Sequence, residues 1–146
     1  MAESQADTRW MARAVALAEQ CPPSATAFSV GAVIVLDGRA VGEGHSRAER
    51  PEDHAEEVAL RRAGGAVEGA TVYSTMEPCG ERASRPVPCA RLLVEAKVAQ
   101  VVYAIAEPER FVQAPSGIAV LREAGVRVRS MPEFAAAAAA PNAHLR

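Results

Sequence analysis

The chain carries His54 and Glu56 two residues apart, then Cys79 behind Pro78 and Cys89 behind Pro88. For one imidazole and two thiols to act together, the fold must bring three separated segments to one point. That requirement constrains the architecture more than any other feature of the sequence. An imidazole and two thiols suit zinc, whose catalytic sites take three protein ligands and keep a fourth position open for water. A hydrolytic site also needs a group that moves protons. Glu56 is a carboxylate that the ligand count does not require.

The surrounding sequence supplies elements that can achieve the convergence. Asp7 or Thr8 is expected to cap a helix running to about Gln20, with Trp10, Ala14, Leu17 and Cys21 on one face. Pro22-Pro23 stops it. Phe28 to Leu36 is a near-continuous apolar run rich in β-branched residues, the pattern of a strand buried on both faces. Asp37-Gly38 is a hairpin signal, and Ala40 to His45 returns as a second strand. Asp53 is expected to cap a helix from about His54 to Ala63, closed by Gly64-Gly65. Further strands are expected at Thr71–Thr75, Val101–Ile105 and Val126–Ser130, and helices at about Cys89–Ala96 and Gly117–Ala124. This alternation predicts a mixed sheet with helices on both faces.

On that layout His54 and Cys89 stand at helix starts, and Cys79 follows a strand. Two helix N-termini then point at one metal, and their partial positive charge favours thiolates. Zinc with two thiolates and a neutral imidazole is formally neutral and a weaker Lewis acid than zinc on three histidines, so its water needs help to ionise. Glu56 supplies that help as proton acceptor, and a dry pocket that raises its pKa suits the role.

At 146 residues, 49% apolar and 23% charged, the chain reads as one domain over residues 1–131. Residues 132–146 form an Ala-rich tail, with Ala135 to Ala140 bracketed by Pro132 and Pro141. The tail is expected to be a short helix or a frayed end with no chemistry. The net charge of −2, a single lysine at Lys97 and 4% aromatic residues argue against a nucleic-acid partner. No apolar run of about 18 residues exists to span a membrane. The polar Met1–Asp7 has no signal-peptide core, so a cytoplasmic location is expected.

Other readings of the same residues stay open. Cys21 or His45 as a fourth ligand makes a closed structural zinc site and a non-catalytic binding module. Cys79 and Cys89 are otherwise buried thiols or, given an oxidising compartment, a disulfide. The sequence favours Cys21 as the buried end of the first helix and His45 as a loop or strand-end residue. His144 is expected to be neither a ligand nor a substrate contact.

Together these motifs resemble the cytidine deaminase-like superfamily of zinc hydrolases, whose nucleobase deaminases carry H-x-E and P-C-x-x-C. Here nine residues, not two, separate the cysteines. That spacing argues against the tRNA-adenosine and deoxycytidylate branches and for the riboflavin-pathway deaminases. The stretch Cys79-Gly80-Glu81-Arg82-Ala83-Ser84-Arg85-Pro86-Val87-Pro88-Cys89 looks more like the fungal-type deaminase domain than the bacterial one. Thr26–Gly31, Gly44–Arg47, His54–Glu57, Glu107–Val112 and Leu121–Val128 also have counterparts there, so the resemblance covers roughly residues 10 to 130.

The resemblance implies an α/β fold, a three-layer α/β/α sandwich around a five-stranded mixed sheet. It implies Zn2+ on His54, Cys79 and Cys89, and Glu56 as proton shuttle. Zinc hydroxide is then expected to attack an amidine-like ring carbon, with loss of ammonia. The ring carbonyl meets the N–H near Ala55, the leaving amine meets the carbonyl of Glu77, and Phe28 lines the ring pocket. Arg82, Ser84 and Arg85 are candidates for a ribityl or phosphate group. The favoured substrate is a small pyrimidine-type molecule, the diaminopyrimidine intermediate of riboflavin synthesis. A cytosine- or cytidine-like compound, or an aminated natural product or antibiotic, is the alternative. No reductase domain is seen, so the chain is expected to act alone or with a separate reductase. Relatives are commonly dimers or larger, and a homo-oligomer is expected.

Overall fold

The computed structural model describes residues 2–80, 88–106 and 116–145. Helix α1 (Ala2–Ala18) leads into a hairpin of β1 (Gly31–Leu36) and β2 (Arg39–His45). There follow α2 (Ala55–Ala63), β3 (Thr71–Met76), α3 (Cys89–Glu95), β4 (Gln100–Ile105), α4 (Gly117–Glu123) and β5 (Arg127–Ser130). A 3-10 turn (Pro132–Phe134), the short α5 (Ala135–Ala139) and a second 3-10 turn (Ala140–Asn142) come last. The strands form one sheet in the order β2-β1-β3-β4-β5. β1 runs antiparallel to β2 and β3, while β3, β4 and β5 are parallel. This is the mixed five-stranded α/β architecture expected from the sequence. No helix among the described residues is long and apolar enough to cross a membrane.

The central strands are apolar on both faces because both faces are covered. Ala32, Ile34, Val72 and Val101 pack with Ala55 and Ala59 of α2, Leu93 of α3 and Leu121 of α4. Val33, Tyr73 and Val102 pack on the other side with Met11, Ala14 and Leu17 of α1, and with Met131 and Ala138. A strand enclosed in this way loses the polar–apolar alternation of a half-exposed one. The hairpin turn is held by Asp37 and Gly38, both at positive φ (53° and 76°), the conformation that a two-residue turn between twisted strands requires.

Four local expectations change. Helix α1 starts at Ala2 rather than at a cap on Asp7 or Thr8. Asp7 is buried within it, its carboxylate accepting from Tyr73 Oη at 2.5 Å and Arg129 Nη2 at 2.9 Å. These partners on β3 and β5 bind the carboxylate more usefully than a helix end would. Strand β1 starts at Gly31 rather than Phe28, because the N–H groups of Ser29 and Val30 donate to side chains instead of a neighbouring strand. Asp53 does not cap α2. Its Oδ2 accepts from the N–H groups of Glu49 and Arg50 at 3.0 and 2.9 Å and closes the preceding loop. His54 is the N-cap. Finally, α1 ends at Ala18, so Cys21 lies beyond it, half-buried, with its thiol 3.5 Å from the carbonyl of Val30.

The seat of α2 on the sheet depends on Gly44 in β2. A Cβ there would lie 2.6 Å from both the Ala55 oxygen and the Ala59 nitrogen, so the helix backbone rests directly on the strand. Only a residue without a side chain permits this approach. Gly44→Ala should force α2 outward and cost about 1–3 kcal/mol, as overpacking does elsewhere. Urea unfolding checks the expectation, and an unchanged midpoint would refute the close seating.

Candidate metal centre

Helix α2 begins with two glutamates of different use. The N–H of His54, at the N-cap, donates to Glu57 Oε1 at 2.8 Å, and this fixes the first turn. Glu56 is freed from capping and turns inward, only 4% exposed. As N-cap, His54 has extended backbone (φ −98°, ψ 151°), so its ring projects ahead of the helix rather than along one face.

Cys79 and Cys89 reach the same point from the end of β3 and the start of α3. The N–H of Cys89 donates to Cys79 Sγ at 3.2 Å, and the N–H of Ala90 donates to the Cys79 carbonyl at 3.0 Å. Two donors left without partners by the first turn of α3 are therefore satisfied by one residue. At the same end of β3, α4 abuts the loop: a Cβ on Gly117 would fall 1.6 Å from the oxygen of Pro78. Pro78-Cys79 is thereby fixed from both sides.

His54 Nδ1 lies 3.6 Å from Cys79 Sγ and 3.4 Å from Cys89 Sγ. All three ligand atoms are within 4.8 Å of one another. With Zn–S near 2.3 Å and Zn–N near 2.05 Å, tetrahedral coordination sets N···S edges of about 3.5 Å, so the donors fit zinc in both type and spacing. Among the described residues, the group able to hold a metal comprises these three. Cys21 is bonded to Val30 and His45 Nδ1 lies 3.0 Å from the Ser46 carbonyl, so neither joins the cluster.

The electrostatics divide the roles. The Cys79 thiol is lowered from 9.0 to about 4, first by the hydrogen bond with the Cys89 side chain, then by His54 and the Cys89 N–H, against the opposing effect of burial. Glu56 moves the other way. Burial raises its pKa first, and the neighbouring Cys79 adds to the rise, while His54 and Ser74 act to lower it. A ready thiolate and a carboxyl inclined to hold a proton thus stand side by side.

Ser74 was not singled out by sequence reasoning. It is fully buried on β3, with Oγ 3.0 Å from Glu56 Oε2 and 2.7 Å from the Met76 carbonyl. The available signal was a hydroxyl between Val72 and Met76 on one face of a buried strand. Of the expected substrate contacts, Ala55 opens α2 and is fully buried, with its N–H in the turn that has no intrahelical acceptors. Glu77 is buried and its N–H donates to the Ile105 carbonyl at 2.9 Å. Phe28 is half-buried and lines a cavity of about 400 Å³ together with Met76 and Ile105. Arg82, Ser84 and Arg85 lie outside the described residues.

Residues 4–105 match the family described as the cytidine and deoxycytidylate deaminase zinc-binding region. The chain belongs to this deaminase family. It is 42% identical over 124 residues to the diaminohydroxyphosphoribosylamino-pyrimidine deaminase of Schizosaccharomyces pombe, covering 82% of this chain and 30% of that one. Among solved structures, RibD of Acinetobacter baumannii superposes with a TM-score of 0.82 at 37% identity, over 97% of this chain and 39% of the other. The Aspergillus oryzae Rib2 deaminase in complex with DARIPP superposes with a TM-score of 0.75 at 25% identity, over 86% and 84%. The chain spans about a third of the length of the curated relatives it matches.

In this deaminase-family domain, Ser74→Ala should remove the hydroxyl that holds Glu56 and leave a buried carboxyl short of a partner, at a cost of about 1–3 kcal/mol. Zinc stoichiometry should stay at that of the unaltered protein, because Ser74 touches no sulfur or imidazole. Denaturant unfolding with metal analysis checks both halves.

Proposed function

We propose that the domain is a zinc-dependent hydrolytic deaminase of a pyrimidine-type ring, acting on the diaminopyrimidine intermediate of riboflavin synthesis. The observation that carries the reading is Glu56: buried beside three suitable donors, raised in pKa, and outside the ligand set. A merely structural metal site has no use for such a group. The name of the S. pombe relative supports the choice of ring.

His54, Cys79 and Cys89 would hold the ion, with Cys79 delivered as thiolate. Zinc, when bound there, supplies a Lewis acid that lowers the pKa of water toward neutrality. Glu56 takes one proton from water on its carboxylate and passes it to the ring nitrogen. It takes the second proton and delivers it to the exocyclic amine. The C–N bond then breaks, the water oxygen remains on carbon as a carbonyl, and ammonia leaves. Ser74 donates to Oε2 and fixes the plane of the carboxylate while Glu56 is ionised. The Ala55 N–H donates to the ring carbonyl, the Glu77 carbonyl accepts from an N–H of the departing amine, and Phe28 lies along the ring.

Ammonia release should be assayed on the zinc-loaded protein with the diaminopyrimidine ribotide, its dephosphorylated form, cytidine and cytosine. Glu56→Gln should keep its zinc and lose turnover by about 10²–10⁴-fold, the usual worth of a positioned proton carrier. Full turnover in Glu56→Gln would overturn its role. If no compound releases ammonia above that variant, a binding module is the better reading. His54→Ala and Cys89→Ala should each lose the metal, read directly as zinc content.

A further inference from the structure

The C-terminal segment does more than cover the sheet. By the pairing of Ala32 with Ser74, a longer β1 would run Val30 beside Met76 and Phe28 beside Pro78, next to Cys79. The chain does not make that pairing. Instead Ser29 donates its N–H to Asn142 Oδ1 at 2.6 Å, and Val30 donates to Ser46 Oγ at 2.9 Å. Gly31 donates to Thr75 Oγ1 at 3.1 Å. Three consecutive backbone donors are therefore held by three side chains from distant parts of the chain.

Asn142 makes the fullest of these contacts. Its Oδ1 accepts from Ser29, and its Nδ2 donates to the Ser29 carbonyl at 3.1 Å, so the side-chain amide pairs with the peptide as a neighbouring strand would. It is 8% exposed, and Ser29 is 6% exposed. From the other side, Arg47 donates to the Phe28 carbonyl at 3.0 Å and to Ser29 Oγ at 2.7 Å. Phe28 is thus the neighbour of a clamped peptide, and it shares the lining of one cavity with Met76, Ile105 and Asn142 itself.

We propose that Asn142 is a positioning residue for the ring pocket: through the Ser29 peptide it sets where Phe28 stands, and so sets the affinity for the pyrimidine. This rests on the proposed function in taking Phe28 as a wall of that pocket. Asn142 touches none of the metal-binding side chains, and its effect falls on binding rather than on the proton transfers.

The test measures the dissociation constant of the diaminopyrimidine ribotide by calorimetry on zinc-loaded Glu56→Gln, which binds without turning the compound over. Adding Asn142→Ala should weaken binding by about tenfold or more, while the same change in the active protein raises KM and leaves kcat within about threefold. Amide exchange in residues 22–31 should quicken, and zinc content should not change. Tyr73→Phe, which loses a buried hydrogen bond to Asp7 and touches neither Ser29 nor Phe28, is the control for general loss of stability. Affinity within about twofold of the parent in Asn142→Ala, or an equal weakening in Tyr73→Phe, would overturn the proposal. Should Asn142→Ala fold too poorly to assay, Asn142→Ser, whose single hydroxyl cannot pair with both the N–H and the carbonyl of Ser29, must weaken binding likewise. Ammonia release by the unaltered protein is scored separately: its absence with binding intact sinks the deaminase reading alone, and absence of both sinks the two together.

Discussion

The hydrogen bond from the Cys89 N–H to the Cys79 sulfur links the fold to its chemistry. It gives the first turn of α3 an acceptor, which every helix start needs when no cap side chain is at hand. It also stabilises negative charge on the sulfur, which metal binding needs. A single contact thus sets the distance between β3 and the next helix and prepares a ligand. With Gly117 pressed against Pro78, the thiolate has little freedom. The cost of ordering the site has largely been met by the folding of the sheet.

The α2 side of the site works differently. Adjacent glutamates of the same chemistry diverge because one peptide unit separates a helix-capping position from an inward-facing one. Glu57 finds a backbone N–H, and Glu56 finds burial and the Ser74 hydroxyl. The Ser74 hydroxyl has one proton and two acceptors within reach, the Glu56 carboxylate and the Met76 carbonyl. A hydroxyl so placed can turn between them as the carboxylate gains or loses a proton, so the pocket accepts either state of Glu56 without a buried group being stranded.

The sequence shows best what local chemistry decides. Imidazole and thiol are scarce and specific, so His54, Cys79 and Cys89 stand out, and Asp37-Gly38 announces its turn because few residues accept positive φ at both positions. The strands were legible because β-branched runs suit a sheet covered on both faces. What was hidden depends on partners far along the chain. Asp7 looks like a helix cap until Tyr73 and Arg129 are seen to claim it. Asp53 has the form of an N-cap, yet the loop before it offers its carboxylate two nearer N–H groups. Ser74 becomes meaningful only when β3 is laid under α2. Asn142, in an alanine-rich stretch with little apparent to bury, carries no local sign of its attachment to Ser29.

That last pairing has a bearing on synthesis. Ser29 and Asn142 are 113 residues apart in sequence. At roughly 5–20 residues per second on the ribosome, Ser29 waits for several seconds before its partner exists. His54 and the two cysteines are all made within that interval, but the Phe28–Val30 segment cannot complete its hydrogen bonds in it. A nascent chain halted short of residue 142 would therefore possess all three metal ligands and lack the side chain that holds the Ser29 peptide. The order of synthesis is written into the sequence: metal ligands first, the partner of Ser29 last.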